Sequence, residues 1–83
     1  MKILIIDDDA FMRSVITKAL RSANHETEES PDGTDAINKL ANNVYDVVIT
    51  DIVMPGISGI SVGEYIKENN IPLGILAISA HGG

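Results

Sequence analysis

Three apolar runs in this 83-residue chain each end in a residue that can bind or attack. Val47-Val48-Ile49-Thr50 delivers the carboxylate Asp51 and continues into Ile52-Val53-Met54-Pro55-Gly56. Lys2-Ile3-Leu4-Ile5-Ile6 delivers Asp7-Asp8-Asp9, and Leu73-Gly74-Ile75-Leu76-Ala77-Ile78 delivers the hydroxyl of Ser79. Taken alone, Asp51 is equally well read as a turn-initiating residue or as the acid of a site. Beside Asp7 and Asp8 it becomes part of an acidic cluster, and carboxylates held close together are relieved either by a raised pKa or by a divalent cation. The chain has no Cys, so a metal would be held by oxygen or His. Oxygen donors favour Mg²⁺, which keeps water or phosphate oxygens in its remaining octahedral positions. A backbone carbonyl just past Asp51, Val53 by position, can add a ligand. With phosphate oxygens held there, Asp51 can attack phosphorus as a carboxylate nucleophile while Ser79 offers its hydroxyl to the transferred group. The implied reaction is phosphoryl transfer, in which positioning and charge neutralisation do most of the catalysis.

That chemistry requires the three run ends to be neighbours. Apolar runs rich in β-branched residues, without polar alternation, are strands buried on both faces, the habit of parallel sheets. Between them lie helical patterns. Met12, Val15, Ile16, Ala19 and Leu20 recur at helical spacing, with Arg13, Lys18 and Arg21 largely on the other side, Asp9 as N-cap and an end near Ala23-Asn24. His25-Glu26-Thr27-Glu28-Glu29-Ser30 has little apolar content and reads as an edge strand whose charges discourage further pairing. Ser30-Pro31-Asp32-Gly33 opens a second helix with Ala36, Ile37, Leu40, Ala41 and Val44 on its apolar face. Ser61 and Glu64 match a capping box for a third helix, whose apolar face is Val62, Tyr65 and Ile66, and which Asn69-Asn70 and Pro72 stop. Four strands alternating with three helices make an α/β chain with a mostly parallel sheet. Right-handed crossovers then give the strand order 2-1-3-4, with a crevice between strands 1 and 3 where the winding reverses. The ends of strands 1, 3 and 4 lie there on adjacent strands about 4.8 Å apart.

Composition narrows the alternatives. Eighty-three residues make one small domain, residues 1–83. Twelve acids against six bases argue against a nucleic-acid surface. The first strand begins at Lys2, which leaves no room for a signal peptide, and no apolar run approaches the ~20 residues of a membrane span. A soluble, cytoplasmic protein is the expectation. His25 and His81 sit isolated in polar stretches and read as solvated, the acids of 26–29 as a solvated edge, and Met12 and Met54 as packing. Gly56 and Gly59 read as turn residues, since their spacing fits no phosphate-binding loop.

The chain resembles the receiver domain of two-component response regulators, with the flavodoxin-like fold of the chemotaxis regulator. The residues that carry the resemblance are Ile3-Leu4-Ile5-Ile6-Asp7-Asp8-Asp9, Ile49-Thr50-Asp51-Ile52-Val53-Met54-Pro55-Gly56 with Gly59, and Ile78-Ser79-Ala80. The resemblance implies that Asp51 is the phosphoacceptor, Asp7 and Asp8 the acidic metal pair, Val53 the carbonyl ligand and Ser79 the switch hydroxyl. It also implies Mg²⁺ as cofactor, a sensor histidine kinase or phosphotransfer protein as phosphoryl donor, and a signalling module rather than an enzyme. Asp9 matches no required acid of the family.

Receiver domains continue past this Ser-Ala with a fourth helix, a fifth strand bearing an essential Lys and a switch aromatic, and a fifth helix, and the 83 residues end before them. On that reading the domain is truncated after the fourth strand. Metal binding is expected to survive better than phosphorylation, and phosphorylation better than signalling. The first helix then stands alone on its sheet face and the fourth strand is an open apolar edge, so a homo-oligomer through that edge or uncovered face is expected. Two rivals remain. Asp7-Asp8-Asp9 after a first strand also fits a haloacid-dehalogenase-type phosphatase, which would place the nucleophile at Asp7; that enzyme needs a Lys and further acids downstream, and this chain lacks them. A non-phosphorylated module that only docks or oligomerises is the other.

Overall fold

The computed structural model describes residues 1–51 and 59–78, with side chains for 1–50 and 61–75. Among these residues the elements alternate as β1 (Lys2–Ile6), α1 (Ala10–Ser22), β2 (Glu26–Ser30), α2 (Gly33–Asn42), β3 (Val47–Asp51), α3 (Gly59–Glu68) and β4 (Gly74–Ile78). The pairings are all parallel and the sheet order is β2-β1-β3-β4, as the handedness argument requires. This is the flavodoxin-like arrangement.

Register divides the core in two. Leu4 pairs with Val48 and Ile6 with Thr50, while Ile3 pairs with Val47 and Ile5 with Ile49. Successive strand residues face opposite sides. Leu4, Ile6 and Val48 therefore share one core with Ala36 and Leu40 of α2, Val62 and Ile66 of α3, and Tyr45. Ile3, Ile5 and Ile49 form the other core, under half-buried Ile16 and Leu20 of α1. The placement of α1 on one face and α2 with α3 on the other follows the expected winding.

The helix ends are built from local chemistry. Asp9 caps α1 by accepting from the amides of Phe11 (2.9 Å) and Met12 (3.2 Å), and Asp32 caps α2 by accepting from Asp35 N–H at 2.7 Å. At the C-terminus of α1 the amide of Asn24 donates to Arg21 O and that of His25 to Leu20 O. At the end of α3 the amide of Asn70 donates to Lys67 O and that of Ile71 to Ile66 O. Both are Schellman motifs, and both place an Asn in the left-handed region, at φ 67° for Asn24 and 51° for Asn70.

Five local expectations are corrected. On α1, Val15 is 47% exposed and Ala19 is also exposed, and the buried residue of this helix is Thr17. Arg13 and Arg21 do not face away: Arg21 Nε donates to Thr27 Oγ1 at 2.8 Å and Arg13 Nε to Glu29 at 3.3 Å. The reason is β2, which offers α1 Thr27 and Glu29 instead of apolar side chains. On α2, Ala41 is exposed and Val44, 84% exposed, lies beyond the helix end at Asn42. Ser61 falls inside α3, which begins at Gly59, and is no N-cap. The acids of β2 are not simply solvated either, since Glu28 accepts from Tyr45 Oη at 2.5 Å and lies 3.6 Å from Lys2 Nζ.

Candidate functional site

Asp7 follows the last residue of β1, and its amide extends the ladder by donating to Ser30 O at 3.1 Å. Its side chain is fully buried, with Oδ1 accepting from the amide of Asp9 at 2.9 Å. Asp8, next to it, is exposed at the carboxyl edge of the sheet. The pairing of Ile6 with Thr50, continued one position, sets Asp7 level with Asp51 on the neighbouring strand, and Asp51 in turn pairs with Ile78 of β4. Parallel neighbours lie about 4.8 Å apart, so the backbone brings the acids of β1 and β3 to one place, with the chain position of Ser79 one residue past the end of β4.

The side chain of Asp51, together with Val53, Met54, Pro55, Gly56, Ser79 and His81, lies outside the described residues. Among the described residues no group of three His or carboxylate side chains forms a metal-binding cluster. What is described fits a hard cation on donor chemistry: a buried carboxylate, an exposed one beside it, and a third acid at the equivalent position of the next strand, all oxygen donors.

The surroundings supply support that the periodicity of α1 did not announce. Arg13 reaches back from the first turn of α1, and its Nη1 donates to Asp7 O at 2.6 Å while its Nε bonds Glu29. Near the end of β2, the buried Ser30 hydroxyl donates to Asp32 O at 2.9 Å and so ties the entry of α2 to the same edge. Lys39 Nζ, 2.7 Å from Asp35, holds that carboxyl below the usual carboxylate range. At the opposite end of the sheet, burial and then the Glu28 carboxylate push the Tyr45 hydroxyl well above its usual range, so it remains a proton donor to Glu28. Lys2 Nζ stands 5.1 Å over the same ring. A groove of about 460 Å³ between the end of α2 and Ile71-Pro72 also lies at that far end, away from the acids.

A family model described as the response regulator receiver domain matches residues 3–83. The chain belongs to that family. This receiver domain is 31% identical over 80 residues to response regulator MprA of a Mycobacterium species, covering 96% of this chain and 35% of that protein. It superposes on response regulator TrrA of Thermotoga maritima, solved in complex with Mg²⁺-BeF, with a TM-score of 0.91 and 32% identity, covering 98% of this chain and 70% of that one. TrrA in complex with histidine kinase ThkA gives a TM-score of 0.89 at 32% identity, over 99% of this chain and 71% of that one. The chain thus spans little more than a third of the length of the curated relative. No helix among the described residues is long and apolar enough to cross a membrane.

Proposed function

We propose that this receiver domain takes a phosphoryl group on Asp51 from a phosphohistidine of a sensor histidine kinase or phosphotransfer protein, with Mg²⁺ as cofactor. The observation that carries the reading is the shared register of Asp7 and Asp51 at the carboxyl edge of the sheet, with Asp7 buried and pinned by the Asp9 amide. The Mg²⁺–beryllofluoride complex and the kinase complex of TrrA support the cofactor and the donor class.

The ligand set would be Asp7, Asp8, Asp51 and the carbonyl of Val53, and the bound ion would neutralise phosphoryl charge as it builds up. Asp51 attacks phosphorus through a carboxylate oxygen, the P–N bond to the donor histidine breaks, and the imidazole leaves with that electron pair. Ser79 hydrogen-bonds the transferred group. Asp7 keeps its carboxylate aimed at the site because Asp9 N–H holds one of its oxygens. No turnover of a small substrate is involved, so the domain acts as a cytoplasmic signalling module and not as an enzyme. Copies are further proposed to associate along β4, where Ile75 is 47% exposed. A monomeric mass with a native-like melt at micromolar concentration would count against that association.

Beryllofluoride or acetyl phosphate with Mg²⁺ should perturb the amides around Asp51, and Asp51→Asn should abolish the response. Silence in the unsubstituted protein would leave only the docking or oligomerising module. Retention of aspartyl-phosphate in Asp51→Asn, with its loss in Asp7→Asn, would move the nucleophile to β1 as in a haloacid-dehalogenase-type phosphatase.

A further inference from the structure

Arg13 is one of the few cations of an acidic chain, yet its side chain is only 17% exposed. Helical side chains lean toward the N-terminus of their helix, so a residue in the first turn of α1 lies over the loop that precedes it. From there Nη1 donates to Asp7 O at 2.6 Å, a short charge-assisted bond, and Nε donates to Glu29 Oε1 at 3.3 Å. The guanidinium therefore bridges the β1–α1 loop to the edge strand β2.

The accepted atom gives this bridge its meaning. The Asp7 carbonyl belongs to the rigid peptide unit that joins Asp7 to Asp8. With Asp7 N–H on Ser30 O, Asp7 Oδ1 on Asp9 N–H and the carbonyl on Arg13, both peptide planes of Asp7 are anchored, and the direction in which Asp8 leaves the strand is set with them. We infer that Arg13, locked in place by Glu29, is the positioning residue that fixes the angle between the Asp7 and Asp8 carboxylates and so sets the affinity of the site for a divalent cation. The inference rests on the cation reading proposed above.

Charge alone would give the opposite sign, because a guanidinium repels a nearby cation. Glu29 offsets that charge at 3.3 Å, which leaves orientation as the larger effect. Partners that orient metal ligands without touching the metal typically change affinity by about 10- to 100-fold when removed.

The test is a Mg²⁺ titration of the whole protein followed by amide chemical shifts of residues 7–9. Arg13→Met should weaken binding about tenfold, Arg13→Lys should recover part of it through one remaining donor, and Glu29→Gln should fall between. Leu20→Ala, which loosens α1 without touching the loop, should bind as the unsubstituted protein does. Unchanged or tighter binding in Arg13→Met, with normal binding in the unsubstituted protein, overturns the positioning role alone. No Mg²⁺ response in the unsubstituted protein removes the cation reading and this inference together. Should Arg13→Met not fold, parental affinity in both Arg13→Lys and Glu29→Gln overturns it.

Discussion

The two faces of the sheet are held by different physics. Under α2 and α3 the contact is an apolar layer, Leu4, Ile6 and Val48 against Ala36, Leu40, Tyr45, Val62 and Ile66, each buried. Under α1 it is thinner, three buried isoleucine side chains with Ile16 and Leu20 only half covered, and the rest of the contact is polar: Arg13 to Glu29 and to Asp7 O, and Arg21 to Thr27. Apolar contact is strong and non-directional, whereas hydrogen bonds are weaker and specify angles. The α2–α3 face therefore supplies most of the stability, and the α1 face supplies the orientation of the loop that carries Asp7 and Asp8.

A matched pair of leucine truncations tests that division most severely. Leu40 is buried on α2 and Leu20 half-buried on α1, so Leu40→Ala should cost about 3 kcal/mol and Leu20→Ala about 1 kcal/mol in urea unfolding. Equal costs would end the comparison. Helix termination should be indifferent to the face, because α1 and α3 end in the same motif. Asn24→Ala and Asn70→Ala should each cost about 1 kcal/mol by forcing a Cβ-bearing residue without a side-chain amide into the left-handed region. The Gly variants should be close to neutral, as Gly accepts that backbone but adds entropy to the unfolded chain. A cost confined to one helix would show that its end is held by something besides the cap.

Thr17 sharpens the picture of the polar face. It is buried on α1, and its hydroxyl has no hydrogen-bond partner among the described residues. Thr17→Val keeps the shape and removes a desolvated hydroxyl, so thermal unfolding should report stabilisation of about 1 kcal/mol. Destabilisation would mean that the hydroxyl is satisfied in solution and belongs to the same orienting network as Arg13.

The same contrast explains what could be read in the sequence. The runs at 3–6 and 47–50 have no polar alternation, which identifies strands covered on both sides, and handedness then orders the sheet and brings Asp7, Asp8 and Asp51 to one edge. Most helix ends were legible because the residues that make them are local: Asp9 reads as a cap, the turn around Asp32 as a helix start, and Asn24 and Asn70 as helix stops, each acting within a few residues. Arg13 was not, since its partners are Glu29, sixteen residues on, and a backbone carbonyl, and helical periodicity sorts charged residues to the outside by default. A signal did exist in β2, Glu-Thr-Glu-Glu-Ser, whose lack of apolar side chains forces a polar contact with whatever helix crosses it. Val44 failed for a different reason, because the apolar pattern of α2 continues past the residue at which the helix ends.

The smallest effect belongs to a polar contact on the well-packed side. Lys39 Nζ sits 2.7 Å from Asp35 at i,i+4 spacing on α2, with both side chains about a third exposed. Like Arg13–Glu29 it is a close ion pair, yet it differs in consequence, because it joins two residues of one helix. Solvent screening leaves such a pair about 0.3–0.5 kcal/mol, so Lys39→Met should cost no more than that at neutral pH. The sign with pH follows from Asp35, whose carboxyl is held below its ordinary 3.8 chiefly by the Lys39 hydrogen bond. A depressed folded-state pKa stabilises above the unfolded value and loses that stabilisation as pH falls through the folded value. The gap between Lys39→Met and its parent should therefore persist from neutral pH down to about pH 4 and close below it, and it should shrink in high salt. A cost above 1 kcal/mol, or one indifferent to pH, would show that the α2–α3 face depends on directional contacts as the α1 face does, and the division of labour between the two would have to be given up.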